Sequence, residues 1–178
     1  MSYSWWLQPP VGGALHAFAT SQIELHAAQL RTVRFAPHVT LLGGVAFPSD
    51  AAAVAATTEL ARRLAGLKPR CRVSHAEAGR IFYQCVYLRC GDDEALSKAH
   101  ALAQDVCGLS AATQPTYMPH LSLIYGNVDE AERSARVETV ASALRELTDS
   151  SFLPSSVYLW RTPAGKTEDW ALLSEEPF

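Results

Sequence analysis

The spacing of apolar and polar positions changes period several times along the chain, and each change marks an element. Tyr3 to Leu7 alternates and stops at Pro9-Pro10, which predicts a first strand closed by residues that cannot continue a ladder. Its parity sets Tyr3, Trp5 and Leu7 on one face and Ser4, Trp6 and Gln8 on the other. From about Gly13 to Val33, Leu15, Phe18, Ile23, Leu25 and Leu30 follow helical spacing. Ser21, three residues before Glu24, carries capping chemistry and predicts an interruption near Thr20-Ser21. A strand over Pro37 to Leu42 starts on a proline, which has no backbone donor to offer mid-strand, and ends at Gly43-Gly44. Ser49 to Leu67 is Ala-rich, with Ser49 or Asp50 as N-cap and Gly66 near its end, and predicts a helix.

Arg70 to Ala78 and Arg80 to Arg89 alternate on either side of Gly79 and read as a hairpin. A helix over Asp92 to Gly108, a loop containing Pro115 and a strand over Tyr117 to Tyr125 follow. Asp129 to about Leu147 reads as a helix whose acidic first turn suits its dipole. Ser156 to Arg161 and Asp169 to Ser174 close the chain as strands around a turn at Pro163 to Gly165. The order β α β α β β α β α β β predicts an α+β fold of antiparallel strands with outer helices. With 178 residues, 48% of them hydrophobic, the chain fills one core, and residues 1–178 are expected to form a single domain.

Two of these strands carry nearly the same phrase, PHVTLLGG at Pro37 to Gly44 and PHLSLIYG at Pro119 to Gly126. Side chains two apart on a strand share a face, so His38 points with Thr40, and His120 with Ser122. If the two strands pair or face one another, two imidazoles and two hydroxyls converge. That is a site for an anion held between a proton donor and a proton acceptor. The other four histidines, His16, His26, His75 and His100, are each followed by Ala and then by a residue that is neither Ser nor Thr. Two buried imidazoles without a role would carry a desolvation cost with nothing to offset it.

The paired HxT and HxS motifs resemble the signature of the 2H phosphoesterase superfamily, and the nearest likeness is to the plant and yeast type cyclic phosphodiesterases. GRIFYQCVYL at Gly79 to Leu88 and the HLSLIYG form with Tyr125 carry that second step. The resemblance covers essentially the whole chain. It implies two pseudo-symmetric lobes, each an antiparallel sheet with outer helices, facing across a central cleft. It implies hydrolysis of ADP-ribose 1″,2″-cyclic phosphate, a by-product of transfer RNA splicing, to ADP-ribose 1″-phosphate, and of nucleoside 2′,3′-cyclic phosphates to 2′-phosphates. His38 and His120 are then the catalytic pair, with Thr40, Ser122 and Tyr125 on the substrate phosphate, and neither metal nor cofactor is called for. Tyr125 lies three residues beyond Ser122, on the opposite face of a regular strand, so it needs a bend to join them. In such relatives the turn of the hairpin sits at the cleft mouth, which makes Phe82 or Tyr83 a base-stacking candidate; an aromatic cross-strand pair is the other reading. Trp5 and Trp6 divide between core and cleft, and parity alone does not choose between them.

Composition narrows the partners. A formal net charge of −3 argues against tracking long nucleic acid backbones by bulk attraction and leaves a small cyclic phosphate nucleotide open. No apolar run approaches the roughly 20 residues that span a bilayer, and MSYSWWLQPP lacks the features of a signal peptide, so a cytoplasmic, monomeric protein with no membrane partner is expected. Cys71, Cys85, Cys90 and Cys107 show no zinc-like spacing and read as free thiols. Two alternatives compete. One is a phosphodiesterase of RNA ends or 2′,5′-linked oligonucleotides, which would use a basic rim drawn from Arg31, Arg34, Arg70, Arg72, Arg80 and Arg89. The other is a nucleotide- or RNA-binding module without turnover, which would need neither acid nor base.

Overall fold

In the computed structural model, residues 1–110, 116–165 and 167–178 are described, and the expected loop at Pro115 lies outside them. The elements run β1 (Ser2–Leu7), α1 (Ala14–Leu30), β2 (Val39–Ala46), α2 (Asp50–Leu64), β3 (Cys71–Ala78), β4 (Val86–Cys90), α3 (Glu94–Val106), β5 (His120–Ile124), α4 (Glu130–Leu144), β6 (Ser151–Phe152), β7 (Ser156–Arg161) and β8 (Ala171–Pro177). The HxT strand is second and the HxS strand fifth, as the sequence predicts. The two-residue β6 is an addition, too short to show any periodicity.

The strands form one antiparallel sheet in the order β6-β3-β4-β5-β2-β1-β7-β8. Counted outward from the middle, β5-β4-β3-β6 on one side answers β2-β1-β7-β8 on the other. The two expected lobes therefore meet edge to edge at β2 and β5, where Val39 stands opposite Leu121. Helices α1 and α4 pack on the β5-β4-β3 side, and α2 and α3 on the β2-β1-β7-β8 side. Val39, Leu41, Leu88 and Leu121 are fully buried on the helix-covered face. That leaves the residues beside them in sequence, including His38, Thr40, His120 and Ser122, on the opposite face.

Helix α1 runs through Thr20-Ser21 without the expected interruption. Leu15, Ala19, Ile23 and Ala27 recur every four residues and are all buried, so one continuous apolar stripe crosses the capping-like segment and outweighs it. The helix ends instead at Arg31, whose φ of 52° is left-handed and whose N–H reaches the Ala27 carbonyl.

The expected strand over Arg80 to Arg89 is shorter, beginning only at Val86. Ahead of it a single 3₁₀ turn, Phe82–Gln84, is closed by Gln84 N–H on the Ile81 carbonyl at 3.0 Å. Gly79 permits this turn, because a Cβ there would lie 2.0 Å from the Gln84 carbonyl oxygen. The regular alternation of Ile81, Tyr83 and Cys85 along one strand face therefore does not hold. All four cysteines are free thiols, and burial raises each of them. Among the described residues, no helix is long and apolar enough to cross a membrane.

Candidate active site

Because β2 and β5 run antiparallel with Val39 opposite Leu121, the register sets His38 across from Ser122 and Thr40 across from His120. On that register, continued one residue either way from the Val39–Leu121 pair, the two imidazoles lie on one diagonal and the two hydroxyls on the other. The rings are held alike. His38 Nδ1–H donates to the Ala36 carbonyl at 2.6 Å, and His120 Nδ1–H to the Met118 carbonyl at 2.9 Å. Each acceptor is two residues back, across Pro37 or Pro119, and proline keeps its predecessor extended. The shared bond fixes the tautomer, so each ring presents Nε2 to the cleft. His38 is 4% exposed, and burial drives its pKa down to about 3, aided by the charge of His120. His120 is only half-buried and is also lowered, mainly by burial and further by Arg89.

Tyr125 joins the site through an irregularity in β5. Tyr87 stands opposite Ser122 but Val86 stands opposite Ile124, so Leu123 is one residue in excess on β5. Such a bulge reverses the alternation beyond it. Tyr125, expected on the far face, thereby returns to the face of Ser122, with its hydroxyl 3.5 Å from His38 Nε2. Burial raises its phenol well above the usual range, so it stays a donor at working pH. The Ser122 hydroxyl donates to the Tyr83 carbonyl at 3.1 Å, while Thr40 lines the cavity beside it.

The base-stacking candidates separate. Trp5 is fully buried in the core and its indole N–H donates to Thr57 Oγ1 at 2.8 Å, so the structure removes it from the cleft. Trp6 does lie beside Thr40, because the β1/β2 register shifts between Trp5 and Trp6. It stacks on His38 at 3.5 Å and 5° and on Trp160 at 4.5 Å, and at 2% exposure it has no face left for a base. Its geometry is that of a plate behind the imidazole. Phe82 packs edge-on against Tyr83 and does not line the cavity.

Tyr83 does line it. A cavity of about 310 Å³ is bounded by Trp6, His38, Thr40, Tyr83, Tyr125 and Trp170 among others, with His120 and Ser122 outside this lining across the β2/β5 boundary. Trp170 was not among the sequence candidates; it follows the β7–β8 turn, and nothing in its spacing shows that this turn reaches the cleft. Tyr83 and Trp170 rings stack at 5.8 Å and 30°, and the Tyr83 hydroxyl accepts the Gly165 N–H at 3.1 Å. Turns from the two lobes thus touch over the cavity.

Known proteins resemble this chain in sequence and in fold. Residues 1–176 match the family model described as cyclic phosphodiesterase-like protein. A cyclic phosphodiesterase of Arabidopsis thaliana is 31% identical over 140 residues, covering 78% of this chain and 72% of that protein. Two solved structures share the fold at lower identity. One is E. coli LigT in complex with ATP, at TM-score 0.60 and 15% identity, covering 99% of this chain and 97% of that one. The other is Kluyveromyces marxianus Usb1, at TM-score 0.54 and 10% identity, covering 99% and 98%. The chain belongs to the cyclic phosphodiesterase-like proteins, a family of 2H phosphoesterases.

Proposed function

We propose that residues 1–178 act as one bilobal, metal-independent cyclic phosphodiesterase. Its substrates are nucleoside 2′,3′-cyclic phosphates, opened to 2′-phosphates, and ADP-ribose 1″,2″-cyclic phosphate, opened to ADP-ribose 1″-phosphate. The observation that supports this most is the antiparallel pairing of both motifs, with each imidazole fixed by a backbone carbonyl so that Nε2 faces the cleft. Ring opening adds water across one P–O bond. One imidazole Nε2 takes the water proton as its oxygen bonds to phosphorus. The other, as imidazolium, gives its proton to the departing ribose oxygen. Charge grows on the non-bridging oxygens, where the Thr40 hydroxyl and the Tyr125 phenol donate, joined by Ser122 once its proton turns from the Tyr83 carbonyl.

The aromatic cavity suits a nucleoside ring, since stacking on an aromatic side chain contributes about 1–3 kcal/mol per base. The ATP bound by the LigT neighbour fits the same reading. The test is phosphorus NMR of EDTA-treated protein with a nucleoside 2′,3′-cyclic phosphate and then with ADP-ribose 1″,2″-cyclic phosphate. Formation of the 2′- and 1″-phosphates supports the proposal and its regiochemistry. Survival of both, with cleavage of a short RNA or a 2′,5′-linked oligomer, would transfer the activity to RNA ends. No turnover of any of them would leave a binding module.

A further inference from the structure

The cleft face continues beyond His120 onto β4 and β3. Arg89 stands directly opposite His120, and His75 directly opposite Arg89, so the three form a row across three strands on one face. The neighbouring row is Ser122, Tyr87 and Glu77. That second row is internally satisfied. Tyr87 hydroxyl donates to Glu77 Oε2 at 2.8 Å, and His75 Nε2 bonds Glu77 Oε1 at 2.7 Å. The one carboxylate on this stretch of the face is therefore taken. Arg89 is half-buried, and among the described residues no carboxylate lies within ion-pair distance of it. Its charge is nevertheless felt at the site, where it lowers both His120 and Glu77.

We infer that Arg89 forms a second anion subsite, one strand beyond His120, that holds a further phosphate of the substrate. This rests on the cyclic phosphodiesterase reading above. A guanidinium presents a planar fork of donors that matches two phosphate oxygens at once. Strand spacing puts it about 5 Å from the line of the catalytic pair, a neighbouring phosphate's distance within one nucleotide. The position is also on the far side of the motifs from the aromatic cavity, which leaves that cavity to the nucleoside ring. Substrates with two or more phosphates should thus be preferred over a nucleoside carrying the cyclic phosphate alone. The other lobe offers no cationic counterpart, because the β1/β2 register, continued one residue past Leu7 and Val39, sets Gln8 across from His38.

The experiment compares cytidine 2′,3′-cyclic phosphate with its 5′-phosphorylated form, using the full chain as wild type, Arg89→Ala and Arg89→Lys. Wild type should favour the doubly phosphorylated substrate in kcat/KM. Arg89→Ala should lose roughly ten- to a hundredfold on that substrate, with little change on the other. Arg89→Lys should recover only part, having charge without the fork. Equal loss on both substrates would overturn the subsite and put Arg89 on the scissile phosphate; no loss on either would make it a solvated charge. Calorimetry with adenosine 3′,5′-bisphosphate and adenosine 3′-phosphate separates this from the activity itself. An Arg89-dependent preference for the bisphosphate without turnover would refute only the catalytic reading. Turnover with no such preference in either assay would refute only the subsite.

Discussion

Burial of His38 makes the pH dependence of stability a test of the site. Its ring is 4% exposed, and its pKa falls from the ordinary 6.5 to about 3, chiefly through burial, against the opposing bond to the Ala36 carbonyl. In the unfolded chain the same imidazole takes its proton near the ordinary value. Below that pH the unfolded state binds one more proton than the native state, so stability falls as pH falls. The penalty is absent above the ordinary pKa, grows by about 1.4 kcal/mol per unit below it, and stops growing near the native value. Two units of descent, to roughly pH 4.5, therefore cost about 3 kcal/mol at this one residue. Urea denaturation of wild type and His38→Gln near pH 7 and near pH 4.5 isolates the effect, because the shifted His26 and His120 remain in both proteins. Wild type should lose about 3 kcal/mol more than the variant over that interval. Equal losses would mean that His38 takes up protons freely in the native protein, and the closed environment inferred for it would be wrong.

Replacing either imidazole of the proposed pair, as His38→Ala or His120→Ala, should lower kcat by roughly 10²–10⁴-fold with the circular dichroism spectrum preserved, whereas Thr40→Ala and Ser122→Ala should cost less; steady-state kinetics on a cyclic nucleotide decides it. The profile of kcat/KM should be bell-shaped with its maximum on the acid side of 6.5, since both imidazoles are lowered in the free protein. A maximum on the alkaline side would count against the pair. Trp5→Ala should destabilise the fold by about 3–5 kcal/mol in urea titrations while leaving the turnover of folded molecules nearly intact, in keeping with its place in the core.

The repeated octapeptide makes the centre of the candidate site legible because strand parity is local: two residues apart means one face, whatever the neighbours. Pairing and register are not local, and what depended on them was hidden. Trp5 and Trp6 could be assigned only once β1 was paired with β2, where a register shift turns Trp6 toward Thr40. The bend expected for Tyr125 arises from the extra Leu123 in β5, and no residue type announces a bulge there. Gly79 was visible as punctuation, but the 3₁₀ turn it admits depends on the approach of the Gln84 carbonyl, which lies five residues on. Arg89 read as one of several scattered cations until the ladder set it opposite His120.

The boundary between β2 and β5 also governs when the candidate site can exist at all. His38 and Tyr125 meet although they are 87 positions apart in the chain, and β1 is held on its outer side by β7, near the other end. A nascent or truncated polypeptide ending before Pro119 carries His38 but not His120, half of the proposed proton-transfer pair. Contacts of such long range form slowly, because loop closure must precede the interactions that reward it. On the two-histidine reading proposed above, a polypeptide ending before Pro119 should therefore be inactive, and recovery of activity on refolding should report the meeting of β2 with β5.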